Sequence, residues 1–183
     1  MRFPVAALFC CSAAFAQSPL PVSGEEIAAT FNRISQRAAR IGPMLAQLHP
    51  ADWVAKGAPD TYVAQWNSID EQFRAVQADM SSLARQQTPS LTESMKALFR
   101  AQATQETLGS LMGGVRRYQN PALADLVESV AAEANGDIEI LERYLLEQAA
   151  DKERQFAVVD REAQSCRATL SRQPADPART NRK

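Results

Sequence analysis

The sequence predicts an all-α fold, an up-and-down bundle of four long helices. Alanine makes up about one residue in six and β-branched residues are sparse, a composition that favours helix over strand. Apolar residues recur in alternating steps of three and four, which is the spacing of a heptad seam. Proline and glycine divide these repeating stretches into four. The length of 183 residues suits a single domain.

The first 16 residues predict a secretory signal peptide. Arg2 is followed by an uncharged apolar run over 3–13, and residues 14–16 form an Ala-Phe-Ala cleavage pattern. A lipoprotein signal would modify Cys10 or Cys11, but neither cysteine follows a small residue. We therefore expect export to the periplasm or the extracellular space, cleavage near Ala16, and an N-terminal linker over 17–22.

The charge balance and the cysteine count of the processed chain limit its possible partners and its possible disulfides. Loss of Arg2 leaves 19 basic residues against 21 acidic ones, so no electrostatic footprint for nucleic acid remains. Cys166 would be the single remaining cysteine, which excludes an intramolecular disulfide. Its position on an apolar stripe favours core packing, with an exposed thiol or an interchain disulfide as alternatives.

The first predicted helix runs from Ser23 to about Leu48. Ser23 and Glu26 form a capping box, which is typical of a helix start. Pro43 lacks a backbone donor and clashes with the preceding turn, so we expect a kink there. A linker over 49–60 follows, with a helical turn around 51–56 and with Trp53 holding the linker against the bundle.

The remaining three helices are predicted over 60–87, 89–119 and 121–172. Thr88 is the expected cap of the third helix, with Pro89 at its first position. Asn135-Gly136 resembles a helix breaker, but the apolar steps stay in phase across it, so the fourth helix is predicted to be continuous. The bundle domain thus covers 23–172, and residues 173–183 are expected to form a disordered basic tail.

No pattern in the sequence predicts catalysis, a metal site or a cofactor. The single histidine, His49, lies in the linker before a proline, so the glutamate and histidine set of a di-iron bundle is missing. The sequence contains no G-x-S-x-G and no glycine-rich phosphate loop. Gln102 and Gln105 lie on or near the seam of the third helix and are candidates for a polar core layer, or for a ligand contact.

The fourth helix is predicted to overhang the bundle. The second and third helices hold about 30 residues and span roughly 45 Å, whereas the fourth, with about 50, would reach roughly 75 Å. Its last 20 or so residues should therefore extend beyond the other helices unless the first helix slides along them. They nevertheless keep an apolar stripe, which predicts a partner or self-association surface. The candidate interface residues are Phe156, Val159, Ala163, Cys166 and Leu170.

These features favour an exported interaction or structural protein without catalytic chemistry, such as an adaptor, an assembly component or a chaperone-like bundle. No apolar run in the processed chain is long enough to predict a transmembrane segment. The alternative is a bundle that holds an apolar small molecule in its core. That alternative predicts a cavity lined by Phe73, Met80, Met95 and Met112, with Gln105 as the polar contact.

Overall fold

The computed structural model describes residues 22–172, and over this range the protein is all-helical. The predicted signal peptide, residues 17–21 of the predicted linker and the predicted tail over 173–183 lie outside the described residues. Six helices follow in order: α1 Gly24–Leu45, α2 Pro50–Val54, α3 Thr61–Ala84, α4 Leu91–Tyr118, α5 Pro121–Ala132 and α6 Asn135–Arg172.

The start of α1 follows its sequence signal, whereas its end comes earlier than predicted. The Ser23 hydroxyl accepts a hydrogen bond from the backbone N–H of Glu26 at 3.1 Å, as the capping box requires. Shortly after Pro43 the helix ends at Leu45 rather than at Leu48. Successive i to i+3 backbone bonds then tighten the chain, and Leu48 is buried without being helical. The chain can therefore turn directly into α2.

The predicted cap of the third helix is wrong by two residues. Ser90, not Thr88, has the extended backbone of an N-cap, and its hydroxyl accepts from the backbone N–H of Glu93. The buried face of α4 is also wider than the predicted stripe, because α4 packs against α3 as well as against α5 and α6. Leu111 is consequently buried, while Met95 is 39% exposed.

The prediction of one continuous fourth helix is wrong. The chain turns at residues 133–134 and divides this stretch into α5 and α6. Asn135 and Gly136 are the first two residues of α6, and their low helix propensity disfavours one continuous helix through this point. The new start also places Asp137 in a first turn, where the helix dipole stabilises a carboxylate.

The core lies among α1, α3, α4, α5 and α6. α1 contacts α3, α5 and α6; α4 contacts α3, α5 and α6; and α2 contacts α3. The largest fully buried side chains are Trp53, Phe31, Ile27, Leu45, Leu48, Ile69, Met80, Leu111, Met112, Leu141, Val115 and Val127. Within residues 22–172, no helix has both the length and the apolar character needed to cross a membrane.

Candidate functional site

The helix α6 passes from the core into open solvent along a single apolar seam. Near its start it buries Ile138, Leu141 and Leu145, and it contacts α1 and α4. Eleven residues beyond Leu145, close to three helical turns, Phe156 lies in phase with that seam. Leu145 is 5% exposed, however, and Phe156 is 74% exposed. The same face of one helix is therefore core at one end and open surface at the other.

Residues 151–171, which we name the terminal segment, are exposed on every side. The segment spans roughly 32 Å at 1.5 Å per residue. Its side-chain hydrogen bonds, including Lys152 to Gln155 and Gln164 to Asp160, stay inside α6. The guanidinium of Arg154 likewise pairs with Asp151 one turn earlier. These pairs support the helix locally, and within the described range the segment has no tertiary cover.

All five candidate interface residues lie on one face of the terminal segment, which we name the exposed stripe. Val159 is 60% exposed and Leu170 is 68% exposed, and the remaining members are exposed as well. Val158, beside the stripe, adds a further exposed apolar side chain. The stripe consists of Phe156, Val159, Ala163, Cys166 and Leu170. A contiguous apolar surface of this kind is typical of an interaction site.

The favoured interpretation of Cys166 as a core residue is wrong. Its thiol is free and exposed on the terminal segment. The apolar neighbours that predicted burial are themselves exposed, because no other helix of residues 22–172 reaches this part of α6. An exposed thiol and a disulfide between chains are the interpretations that its position allows.

The two candidate polar-core glutamines are half-buried, and each bonds to α6. Gln102 donates to the carboxylate of Glu142 at 2.7 Å, and Gln105 donates to the side-chain oxygen of Asn135 at 3.4 Å. They therefore link α4 to α6 by hydrogen bonds and do not contact the exposed stripe. Glu142 is itself half-buried at this contact.

A row of arginines on α1 meets the junction between α5 and α6. Arg33 Nε lies 2.7 Å from Asp137 Oδ1, and Arg37 pairs with the other oxygen of the same carboxylate. Arg40 Nη2 lies 2.6 Å from Glu133. The Asp137 side chain is 7% exposed, so its charge is compensated almost entirely by protein groups. Sequence reasoning missed this cluster, although the spacing of the arginines on one helical face could have indicated it.

A second polar cluster fixes the linker at the far end of α4. Trp53 is buried, and its indole Nε1 donates to Gln119 Oε1 at 3.1 Å. Gln119 also accepts from the backbone N–H of His49 and donates to the carbonyl of Gln47. The ring of Tyr62 packs edge-on against Trp53. The linker is therefore held against the bundle through Trp53, as the sequence predicted.

The pocket that lies among the core residues of α1, α3 and α4 is small. The cavity beside Phe73 and Gln105 has a volume of about 30 Å³, room for little more than one water molecule. Met80 and Met112 are fully buried and Met95 is 39% exposed, and none of the three lines the cavity, so the predicted methionine lining does not surround one space. An open groove of about 570 Å³ lies between α1 and α3, bordered by Pro43, Trp66 and Asp70 among others.

The titratable groups of the described range form no metal-binding cluster. Within residues 22–172, no three His, Cys, Asp or Glu side chains lie close enough together to hold an ion. His49 is exposed, and its backbone rather than its imidazole carries the contact to Gln119.

Burial raises the pKa of the Tyr144 phenol. Hydrogen bonds to Glu128 and Asp125 raise the pKa of Arg116, which stays charged.

Comparison with known proteins adds no family to this description. No protein-family model, curated protein or solved structure matches the chain. The exposed stripe, the arginine row and the Trp53–Gln119 cluster are therefore interpreted from their geometry.

Proposed function

We propose that this chain is an exported interaction or structural protein, an adaptor, assembly component or chaperone-like bundle, that binds its partner through the exposed stripe. The observation that carries the proposal is the seam of α6, which is buried up to Leu145 and continues in phase as open surface from Phe156. A helix that retains an apolar face over about 20 residues gains stability when a protein surface covers that face.

In this proposal the helices before the terminal segment form a rigid base that holds it. In it, α1, α3, α4 and the pair α5–α6 form the four columns of an up-and-down bundle. The ion pairs of Asp137 with Arg33 and Arg37 hold the start of α6 in this base. The terminal segment then projects at a fixed angle, and a partner meets a preformed helix.

The proposed function does not include catalysis. A nucleophile needs a base beside it, but Cys166 lies on a segment that contacts no other described helix, and His49 lies in the linker before α2. The small-molecule alternative is supported less well. Ligand pockets typically measure about 300–1,000 Å³, whereas the core cavity beside Phe73 and Gln105, which this alternative requires, is about 30 Å³. The groove of about 570 Å³ between α1 and α3 is open to solvent and does not lie in the core.

Site-specific photo-crosslinking in the producing cell tests the interaction surface. A photoreactive amino acid at Val159 is expected to trap a partner, because Val159 lies within the exposed stripe. The matched control carries the same amino acid at Arg161, which is also exposed but lies on the opposite face of the terminal segment. Equal trapping at both positions, or none at Val159, would reject the proposal.

A charge-bearing variant separates binding from folding. Phe156→Glu combined with Val159→Glu should abolish partner capture and leave the denaturant melt of the bundle unchanged, because both side chains lie outside the core. If this double variant unfolds the domain, the stripe belongs to the intramolecular core and the proposal fails.

Export is the second part of the proposal and rests on residues 1–16. N-terminal sequencing of the product outside the cytoplasm should begin at Gln17, directly after the Ala-Phe-Ala pattern. A cytoplasmic product that still carries residues 3–16 would overturn this part while leaving the interaction surface open to test.

A further inference from the structure

We propose that the occupant of the exposed stripe is a second copy of this chain, and that the two terminal segments pair as antiparallel helices. In this arrangement Phe156 of each copy lies opposite Cys166 of the other. The inference rests on the proposed function, since it names the partner of the same surface. Three independent features of the terminal segment carry it: its direction, its register and its charges.

The direction follows from the phase of the seam. Phe156 lies on the same face of α6 as Leu145, which is buried in the core, so the exposed stripe faces the side on which the bundle lies. A second copy in parallel orientation would bring its own bundle into that same space. An antiparallel copy places the two bundles at opposite ends of the helix pair, where they do not collide.

The register follows from the symmetric spacing of the seam. The seam positions of the terminal segment are separated by steps of four, three, four, three and four, which is the same series read from either end. They are Lys152, Phe156, Val159, Ala163, Cys166 and Leu170. The centre of this series is residue 161. Pairing the six positions with themselves in antiparallel orientation places Phe156 opposite Cys166 and Val159 opposite Ala163.

The aligned layers combine large side chains with small ones. Phe156 meets Cys166 of the second copy, and Val159 meets Ala163. Such combinations fill the space between two helices without overpacking. At each end Leu170 meets Lys152, whose methylene stem can cover the leucine while its ammonium group stays in water.

Charges beside the stripe support the same orientation. Glu153 and Arg167 lie on the same flank, two heptads apart, so an antiparallel pair brings Glu153 of each copy beside Arg167 of the other. Asp160 lies between them, near the two-fold axis, where it approaches its own copy and opposes pairing. Glu162 does the same on the other flank. The dimer is thus expected to be reversible, and removal of one repelling charge should tighten it.

Disulfide trapping tests the orientation. The full chain carries Cys10→Ser and Cys11→Ser, so that Cys166 is its single thiol whether or not the N-terminal segment is removed. Antiparallel pairing holds the two Cys166 residues ten positions apart along the helix axis, roughly 15 Å, too far for a disulfide. Adding Phe156→Cys should give a covalent dimer as the main product of mild oxidation. Val158→Cys, which lies off the stripe, is the matched control and should not.

Light scattering during size exclusion measures the affinity without cross-linking. Asp160→Asn should lower the concentration at which half of the chains are dimeric by roughly two- to fivefold, the range expected for one exposed like-charge pair. Arg161→Gln, a charge change on the opposite face, should alter it less. Phe156→Glu with Val159→Glu should give a monomer at all concentrations.

Three outcomes would overturn the inference. Efficient disulfide formation through Cys166 alone would indicate parallel pairing. A chain that is monomeric at every concentration, but that is trapped through Val159 by a different protein, would refute self-pairing and leave the proposed function standing. A chain that forms the dimer only after removal of residues 1–21 would assign the stripe to this chain's own N-terminal segment. That segment joins the described range at Val22, whose backbone N–H donates to Glu147.

Discussion

The indole Nε1 of Trp53 donates a hydrogen bond to the side-chain oxygen of Gln119 at 3.1 Å, joining the linker helix α2 to the end of α4. The same oxygen accepts from the backbone N–H of His49, and the Gln119 amide donates to the carbonyl of Gln47. One side chain thus satisfies two backbone groups of the connection between α1 and α2 and the indole N–H of α2. A buried indole N–H requires such a partner, so this contact is expected to matter for stability.

Gln119→Ala should lower the free energy of unfolding by about 1–3 kcal/mol, because the buried N–H of Trp53 loses its acceptor. The measurement is urea unfolding followed by tryptophan fluorescence. Gln87→Ala, at an exposed position before α4, serves as the control and should stay within about 0.5 kcal/mol of the parent. Equal effects of the two substitutions would show that the contact is energetically neutral.

Asp137→Asn should destabilise the fold by about 2–3 kcal/mol. It leaves Arg33 and Arg37 beside a neutral amide, and the loss stays below the roughly 3–5 kcal/mol typical of a fully buried pair because both arginines keep some access to water. Asp70→Asn removes the exposed pair with Arg74 and should cost less than about 1 kcal/mol. Thermal or denaturant unfolding of the two variants side by side measures the difference. A smaller loss for Asp137→Asn than for Asp70→Asn would contradict the assigned role.

Gly114→Ala and Gly113→Ala form a matched pair on α4. A Cβ at Gly114 would lie 2.8 Å from the Tyr62 ring and 3.1 Å from the Trp53 ring, whereas a Cβ at Gly113 meets nothing within 4 Å. Gly113→Ala should therefore gain up to about 1 kcal/mol from helix propensity. Gly114→Ala should be less stable than Gly113→Ala by about 1–3 kcal/mol because of overpacking. If both variants gain stability alike in denaturant melts, the rings yield without cost.

Phe73→Ala and Leu108→Ala should each destabilise the protein by roughly 2–5 kcal/mol, the cost of emptying a packed core site. Both side chains are buried, at 7% and 2% exposure. Phe99→Ala is the control, since Phe99 lies on the surface of α4. Losses below about 0.5 kcal/mol at both core positions would fall within the range of ordinary surface substitutions and would exclude them from the core.

Tyr144→Phe should reduce the loss of stability at alkaline pH. Burial raises the pKa of Tyr144, so the unfolded chain, with a tyrosine pKa of about 10, releases this proton first. The corresponding stability is fully present below about pH 10 and is lost as the pH rises from there through the folded-state pKa. Urea unfolding of parent and variant at neutral and alkaline pH measures the difference between their slopes. Parallel decline of the two proteins would show that Tyr144 does not titrate differently on folding.

The helical class and most of the seams were predictable, because a period near 3.6 residues is encoded locally. The Ser23 cap, the short helix after Pro50 and the buried stripe that includes Ile69, Phe73 and Met80 all follow from residue type and spacing. Helix ends were less predictable. Neither the early end of α1 nor the division at residues 133–134 changes the phase of the apolar steps, so periodicity alone does not reveal them.

The long apolar seam of the last helix and its overhang were predictable from the sequence, because residue spacing and helix length do not depend on tertiary contacts. Its exposure was decided by the tertiary structure. Leu145 and Phe156 occupy the same face of α6, but α1 and α4 cover the first and do not reach the second. The position of Cys166 was predicted wrongly for the same reason, because an apolar stripe predicts burial without indicating which helix provides it.

The pairing of Asp137 with Arg33 and Arg37 likewise depends on contacts across about 100 residues of sequence, which local patterns do not encode. Residue spacing determines the faces of a helix, and packing determines which of those faces meet protein and which meet solvent.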